Sequence, residues 1–225
     1  MSSLVKIDEF VDSLISFNIK SAALCDDNMI ATMYFYKKCK EKGIKPIIGY
    51  ELKIDEFKVL LYAKNFSGYQ NLLKTVTMKD EITFEKLEKY TNNLILIVPY
   101  EQREIYGKLK VFFVNSYVGI KNNEEEYNAL KITDSLVFLN KILYLRKSEN
   151  KYFKYSIMMK DKKNVLDDVK YDDDKNYLMK DAEILTFCKE KYLKTSNDIA
   201  ELCNVEFPKF DNLIPAFENG FGVSS

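Results

Sequence analysis

At 225 residues, with 47% apolar side chains and 14% aromatics, the chain has ample material for a buried core, which excludes a disordered polypeptide. Its 34 basic and 34 acidic residues cancel, which excludes a general electrostatic pull toward phosphate backbones and leaves any nucleic-acid contact to a local patch or another domain. There is no histidine, so His-based acid/base catalysis, Ser/His or Cys/His nucleophilic machinery and imidazole-ligated metal sites are excluded as well.

In chain order, Ile7, Phe10, Val11, Leu14 and Ile15 recur at helical spacing and predict an amphipathic opening helix. Residues 21–24 form a short apolar run that reads as a strand. A helix is expected over residues 28–42, stopped by Gly43 in the left-handed conformation. Residues 44–54 and 57–63 read as two strands joined by a two-residue turn at Asp55 and Glu56, with Pro46 near the first strand's start, where a missing N–H costs least. Helices follow at 68–76 and 83–90, the second capped by Thr83 with Glu85 near the positive end of its dipole. The apolar LILIVP, 94–99, predicts a buried strand. Then come a short helix near 101–108, a strand over 111–120, a helix over 124–132 and a strand at 136–139. Such alternation predicts an α/β fold with a mostly parallel, helix-covered sheet, either a barrel or a doubly wound layer.

Beyond Leu145 the texture turns polar. Lys and aromatic residues mix over 151–163, a pattern that could stack on nucleic acid but reads better as an amphipathic helix with Tyr and Met inward and Lys in water. Asp167, Asp168 and Asp172 to Asp174 read as solvated turns rather than a metal site. Two closing helices are expected over 181–192 and 196–203. Cys25, Cys39, Cys188 and Cys203 lie far apart without a CxxC pair, so reduced and mostly buried thiols are expected. Seven glycines without a Gly-rich loop argue against a nucleotide cradle. No apolar run approaches the ~20 residues that span a bilayer, and MSSLVKIDEF lacks a signal peptide's hydrophobic centre. A cytoplasmic address and no membrane partner are therefore expected.

Three stretches carry a resemblance: MYFYKKCKEKGIKPIIGYELKI (33–54) with its Gly-x-Glu end, YAKNFSGYQNLLKTVT (62–77) with an Ala-Lys-Asn-x-x-Gly-Tyr-x-Asn-Leu pattern, and residues 177–210 with closing helices followed by Pro-Lys-Phe. Their order and spacing resemble the PHP (polymerase and histidinol phosphatase) domain of the bacterial DNA polymerase III alpha subunit. The resemblance implies a distorted β/α barrel over residues 1–210, with 211–225 as an exit segment toward a polymerase palm domain. Active members of the family hold a trinuclear metal cluster.

Position by position, the resemblance implies that this cluster is lost. The family's first strand carries His-x-His, whereas Ser3 and Leu4 match the loop after it, so two ligands are absent and the barrel is expected to be open there. Leu24, Cys25, Asp26, Asp27 and Asn28 match Leu-Thr-Asp-His-Gly-Asn one residue short, with Asp26 at the Asp. Glu51 keeps the strand-end glutamate, and Lys58 stands where relatives place a His. Asn140, Lys141 and Leu143 fall in a Thr-Asn-Asp-Val-His-Tyr-Leu pattern, where Lys141 and Leu143 replace an Asp and a His.

A lysine brings positive charge where divalent cations would gather, and leucine donates nothing, so only Asp26, Asp27 and Glu51 remain as hard-metal ligands. Neither a catalytic residue nor a cofactor is therefore expected in this chain, the polymerase magnesium belonging to the palm. Glu51 is expected to pair with Lys58 or Lys141, and Asp26 and Asp27 to serve as helix-start residues. The implied function is a structural domain of a DNA-directed DNA polymerase (a nucleotidyltransferase), supporting the other alpha domains and docking the proofreading exonuclease, with DNA met only through the parent polymerase. The alternatives are a metal-dependent phosphoesterase or 3′ to 5′ exonuclease using the old cleft, and a free-standing adaptor.

Overall fold

In the computed structural model, residues 3–78, 81–160, 162 and 175–208 are described. Helix α1 (Ile7–Ser16) turns Phe10, Val11 and Leu14 inward, the stripe expected from the sequence, and Asn18 at φ 58° ends it. Strand β1 (Ser21–Asp26) then leads into helix α2 (Thr32–Glu41), which stops at Gly43 with φ 71°. Strands β2 (Lys45–Ile54) and β3 (Phe57–Ala63) form the expected hairpin, with Asp55 left-handed at φ 53° in its tight turn.

Helix α3 (Phe66–Met78) and the short α4 (Phe84–Glu88) follow, and the Thr83 hydroxyl accepts from the Lys86 N–H at 3.3 Å. Then come β4 (Leu94–Pro99), a 3₁₀ turn into α5 (Tyr106–Leu109), β5 (Asn115–Ile120), α6 (Asn123–Ala129) and β6 (Leu136–Phe138). Helices α7 (Asn150–Lys160), α8 (Asp181–Ile184) and α9 (Glu190–Leu202) close the described chain.

The strands form one sheet in the order β1-β2-β3-β4-β5-β6, a curled half-barrel open at one edge. Its β1–β2, β4–β5 and β5–β6 pairs are parallel, whereas β2–β3 and β3–β4 are antiparallel. The two-residue turn after Ile54 leaves no room for a crossover and so reverses β3 against β2. Strand alternation splits the apolar residues between two faces. Ile48, Tyr50, Leu52, Ile54, Val59, Leu61, Leu96 and Val98 lie in the main core with Leu72 and Leu87 from α3 and α4, while Ile47, Tyr62, Ile95, Ile97 and Val137 pack on the other face against Ile199, Ala200 and Cys203. A third cluster joins α1 and α2 to Ala22, Ile44 and Leu178.

Near the open edge, the Leu4 N–H donates to the Leu143 carbonyl at 2.9 Å and the Ser3 hydroxyl reaches the same oxygen at 3.2 Å. The N-terminal residues therefore run irregularly beside that segment rather than joining the sheet.

Several boundaries differ from expectation. Helix α2 begins at Thr32, since residues 28–31 are held in a turn by the Asn28 side chain accepting from the Ile30 N–H. Strand β5 begins at Asn115, because 110–112 forms a 3₁₀ turn that leaves Val111 and Val114 exposed. Helix α6 ends at Ala129, with residues 130–132 in a turn. The helix expected over 181–192 breaks into α8 and the start of α9. On α7 the inward residues are Phe153 and Met158, while Tyr152, Tyr155 and Met159 face water, so the expected tyrosine-inward face is wrong. The acidic run 167–174 and the exit segment 211–225 lie outside the described residues. Cys39, Cys188 and Cys203 are buried and Cys25 is half-buried, and all four are free thiols.

Residues 203–207 form a strap. The Asn204 N–H donates to the Lys64 carbonyl at 2.7 Å, Glu206 accepts from the Tyr36 hydroxyl at 2.9 Å and from Lys40 at 2.5 Å, and the Phe207 ring meets Tyr36 and Tyr69 edge-on at 4.6 and 4.8 Å. Phe207→Ala, removing a half-buried ring and its edge-to-face contacts with Tyr36, Tyr69 and, at 6.0 Å, Phe66, is expected to cost about 2 kcal/mol. Limited proteolysis beyond residue 203 should accelerate in the variant; unchanged cleavage would show that the strap does not depend on this ring.

Candidate functional site

The C-terminal ends of β1 and β2, the start of β3 and the segment after β6 converge on one place. Glu51 lies on the same face of β2 as Ile47 and Gly49, and its register partner on β3 is Leu60, so Lys58 falls two residues along on the same face. The Lys58 ammonium donates to Glu51 Oε1 at 2.9 Å and the Lys141 ammonium to Oε2 at 2.7 Å. The Glu51 side chain is only 11% exposed, whereas each lysine keeps about half of its surface in water. One carboxylate thus bridges two cations from different segments, and both expected pairings form at once.

Burial pushes the Glu51 carboxyl up, but the hydrogen bonds and charges of Lys141 and Lys58 outweigh it and hold the group below the usual carboxylate range. Such a depressed carboxyl stabilises the fold above that range and loses the contribution as pH falls through it. Asp26, at the end of β1, feels the same cluster. Burial raises its pKa, the charges of Asp27 and Glu51 raise it further, and Lys141 opposes them.

The remaining expected positions do not converge. Asp27 is exposed and accepts from the Asn28 side chain at 3.0 Å. Asn140 donates from its side chain to the Tyr177 carbonyl at 3.1 Å, and Leu143 is buried in the main core. Asp26 and Asp27 do not cap α2, which starts five residues later with Ala31 at its N-cap.

Sequence reasoning missed the pair below Glu51. Gly49 lies opposite Tyr62, and a Cβ there would stand 2.7 Å from the Tyr62 ring and 3.0 Å from the Cys25 sulfur, so the glycine of Gly-x-Glu makes room for these two groups. Burial drives both the Tyr62 hydroxyl and the Cys25 thiol upward, which keeps them neutral and unreactive at physiological pH. The signal was the strand parity that puts Tyr62 and Gly49 on one face.

Among the described residues, no three His, Cys, Asp or Glu side chains gather as a metal-holding group. The donor chemistry does not fit the divalent cluster of active PHP domains, because both oxygens of the best-placed carboxylate already accept from ammonium groups, whose charges would repel added cations.

The comparisons match this architecture. The chain is 35% identical to a DNA polymerase III subunit alpha of Halalkalibacterium halodurans over 113 residues, 44% of this chain and 10% of that protein. It is 25% identical to that of Bacillus subtilis over an alignment covering all of this chain and 24% of that protein, and 28% identical to that of Mycoplasma genitalium over 44% of this chain and 12% of that protein. The chain thus spans a quarter or less of these relatives. Among the described residues, no helix is long and apolar enough to cross a membrane. With the PHP domain profile matching residues 1–137, more than half of its length, on a sheet of the corresponding half-barrel form, the chain belongs to the PHP domain family.

Proposed function

We propose that this chain is the N-terminal PHP domain of a replicative DNA polymerase III alpha subunit, working in the cytoplasm as a non-catalytic scaffold for the polymerase domains and a docking site for the proofreading exonuclease. The observation that carries the reading is the Lys58–Glu51–Lys141 bridge, where three separated segments are joined by ion pairs at the family's metal-site position. The relatives in Halalkalibacterium halodurans and Bacillus subtilis, each a DNA polymerase III subunit alpha, support the polymerase context. DNA is met through the parent polymerase, whose catalytic magnesium belongs to its palm.

Metal analysis of chelator-free preparations, paired with a phosphodiester hydrolysis assay, tests the reading. The chain is expected to carry substoichiometric metal and to hydrolyse nothing. Glu51→Gln should leave both results unchanged and cost about 1 kcal/mol of stability, a small loss because the lysines can relax into water. Stoichiometric manganese or zinc, with hydrolysis abolished by that substitution, would overturn the proposal in favour of a metal-dependent phosphoesterase or exonuclease. Co-elution with the exonuclease subunit tests the docking role separately.

A further inference from the structure

At the end of the sheet opposite Glu51, where β3 finishes and β4 and β5 begin, lies a cleft of about 480 Å³. Its wall combines Lys64, Lys89, Asn71, Asn92 and Asn115 with the ring of Phe112, and no carboxylate lines it among the described residues. Lys64 is half-buried. Its ammonium donates to the Asn115 side-chain oxygen at 3.1 Å, and no described carboxylate comes within ion-pairing reach of Lys64 or Lys89.

That is the reverse of the Glu51 cluster, where each lysine has its counter-charge. A partly desolvated ammonium compensated only by an amide dipole is short of negative charge, and two of its three N–H donors remain for another acceptor. Helix α3 begins at Phe66, with Ser67 and Asn71 in the cleft wall, so the positive end of its dipole adds to the same field.

We propose that this cleft binds a phosphoryl anion, held by Lys64 and Lys89 and oriented by the asparagine amides, with Phe112 offering an apolar flank for whatever the phosphate carries. The site is remote from the Glu51 cluster and does not depend on the scaffold reading.

The full chain is titrated in low-chloride buffer with inorganic phosphate and, separately, with a short single-stranded oligodeoxynucleotide, binding being followed by calorimetry and amide chemical shifts. Saturable binding is expected, with shifts confined to residues around 64–71, 89–94 and 112–115. Lys64→Gln should weaken it about tenfold, the size of one lost charge-assisted contact. Asn115→Asp supplies the missing counter-charge beside Lys64, so it should weaken binding as much while holding or raising the melting temperature, which separates lost binding from lost folding. A preference for the oligonucleotide identifies a strand's phosphate as the ligand, and equal affinity identifies the free anion. If neither probe binds, or if binding survives both substitutions, the proposal is overturned.

Discussion

Gly68→Ala is expected to destabilise the chain by about 2 kcal/mol, lowering the melting temperature by about 4–8 °C for a domain of this size. A Cβ at Gly68 would stand 2.3 Å from the Asn93 carbonyl oxygen and 3.3 Å from the Ala63 Cα, both backbone atoms that cannot swing aside. Three hydrogen bonds fix that contact. Asn65 Oδ1 accepts from the Gly68 N–H at 3.0 Å, the Lys64 N–H donates to the Asn93 carbonyl at 2.9 Å, and the Asn71 side chain donates to the Asn92 carbonyl at 2.9 Å. Moving α3 outward to relieve the clash stretches the Asn71–Asn92 bond and pulls on the Lys64–Asn93 bond at the foot of the helix, while the Asn65 cap travels with α3. Alanine's better helix propensity returns at most about 1 kcal/mol, which overpacking exceeds. Gly107→Ala in α5, where an added Cβ meets nothing within 4 Å, is the control and should be neutral or stabilising. Equal melting shifts in the two variants would show that the close approach is not what constrains Gly68.

Glu126→Gln is expected to cost about 2 kcal/mol near neutral pH, by leaving two ammonium groups without the anion they converge on. Glu126 is 5% exposed on α6 and accepts from Lys189 at 2.6 Å, Lys191 at 3.1 Å and the Tyr192 hydroxyl at 2.5 Å, tying α6 to the start of α9. Burial opposes its ionisation, but the hydrogen bonds from Lys189, Tyr192 and Lys191 prevail and bring its pKa from the usual 4.5 down to about 2. The folded-state pKa lies below the unfolded one, so this stabilisation is complete above 4.5 and fades as pH falls toward 2. Both lysines are more than half exposed, so water screens the cluster and the cost stays near the low end for a buried ion pair. Urea unfolding of wild type and variant across the acid range should give a constant gap above the carboxylate range that closes below it. A gap that ignores pH would mean that the substitution of Glu126 acts through packing alone.

The sequence made some elements plain because their residues satisfy two requirements together. LILIVP is apolar at every position, and as β4 its first five residues are buried. The turn at Asp55 and Glu56 separates two alternating runs, and a hairpin forms there. Strand β5 was misplaced because the apolar Val111 to Val114 looks like a strand start. Only Phe113 of that run finds a buried place, and the main chain curls into a 3₁₀ turn to put it there. The α7 face was misread because Tyr152 and Tyr155 share helical spacing with Met159, whereas the buried residues are Met158 and Phe153, the latter against Tyr144.

At the candidate site, the resemblance placed Glu51, Lys58 and Lys141, and their convergence followed from strand parity and from the segment after β6. Asn140 and Leu143 could not be assigned in the same way. Their directions depend on the Tyr177 carbonyl and on core packing, contacts with distant parts of the chain that local spacing does not encode. The Ala-Lys-Asn-x-x-Gly pattern carried a resemblance whose physical reason became visible only in three dimensions, as the tight seat of α3 on the turn before β4.

The Lys58–Glu51–Lys141 bridge also sets what a metal-holding version of this cleft would cost. A single Lys141→Asp change would set a third acid beside Glu51 and Asp26, leaving Lys58 to neutralise them, and would cost stability before any ion could be captured. On the proposed non-catalytic reading, that exchange taken alone therefore runs uphill, and a hydrolytic centre would need a further change that offsets the added charge.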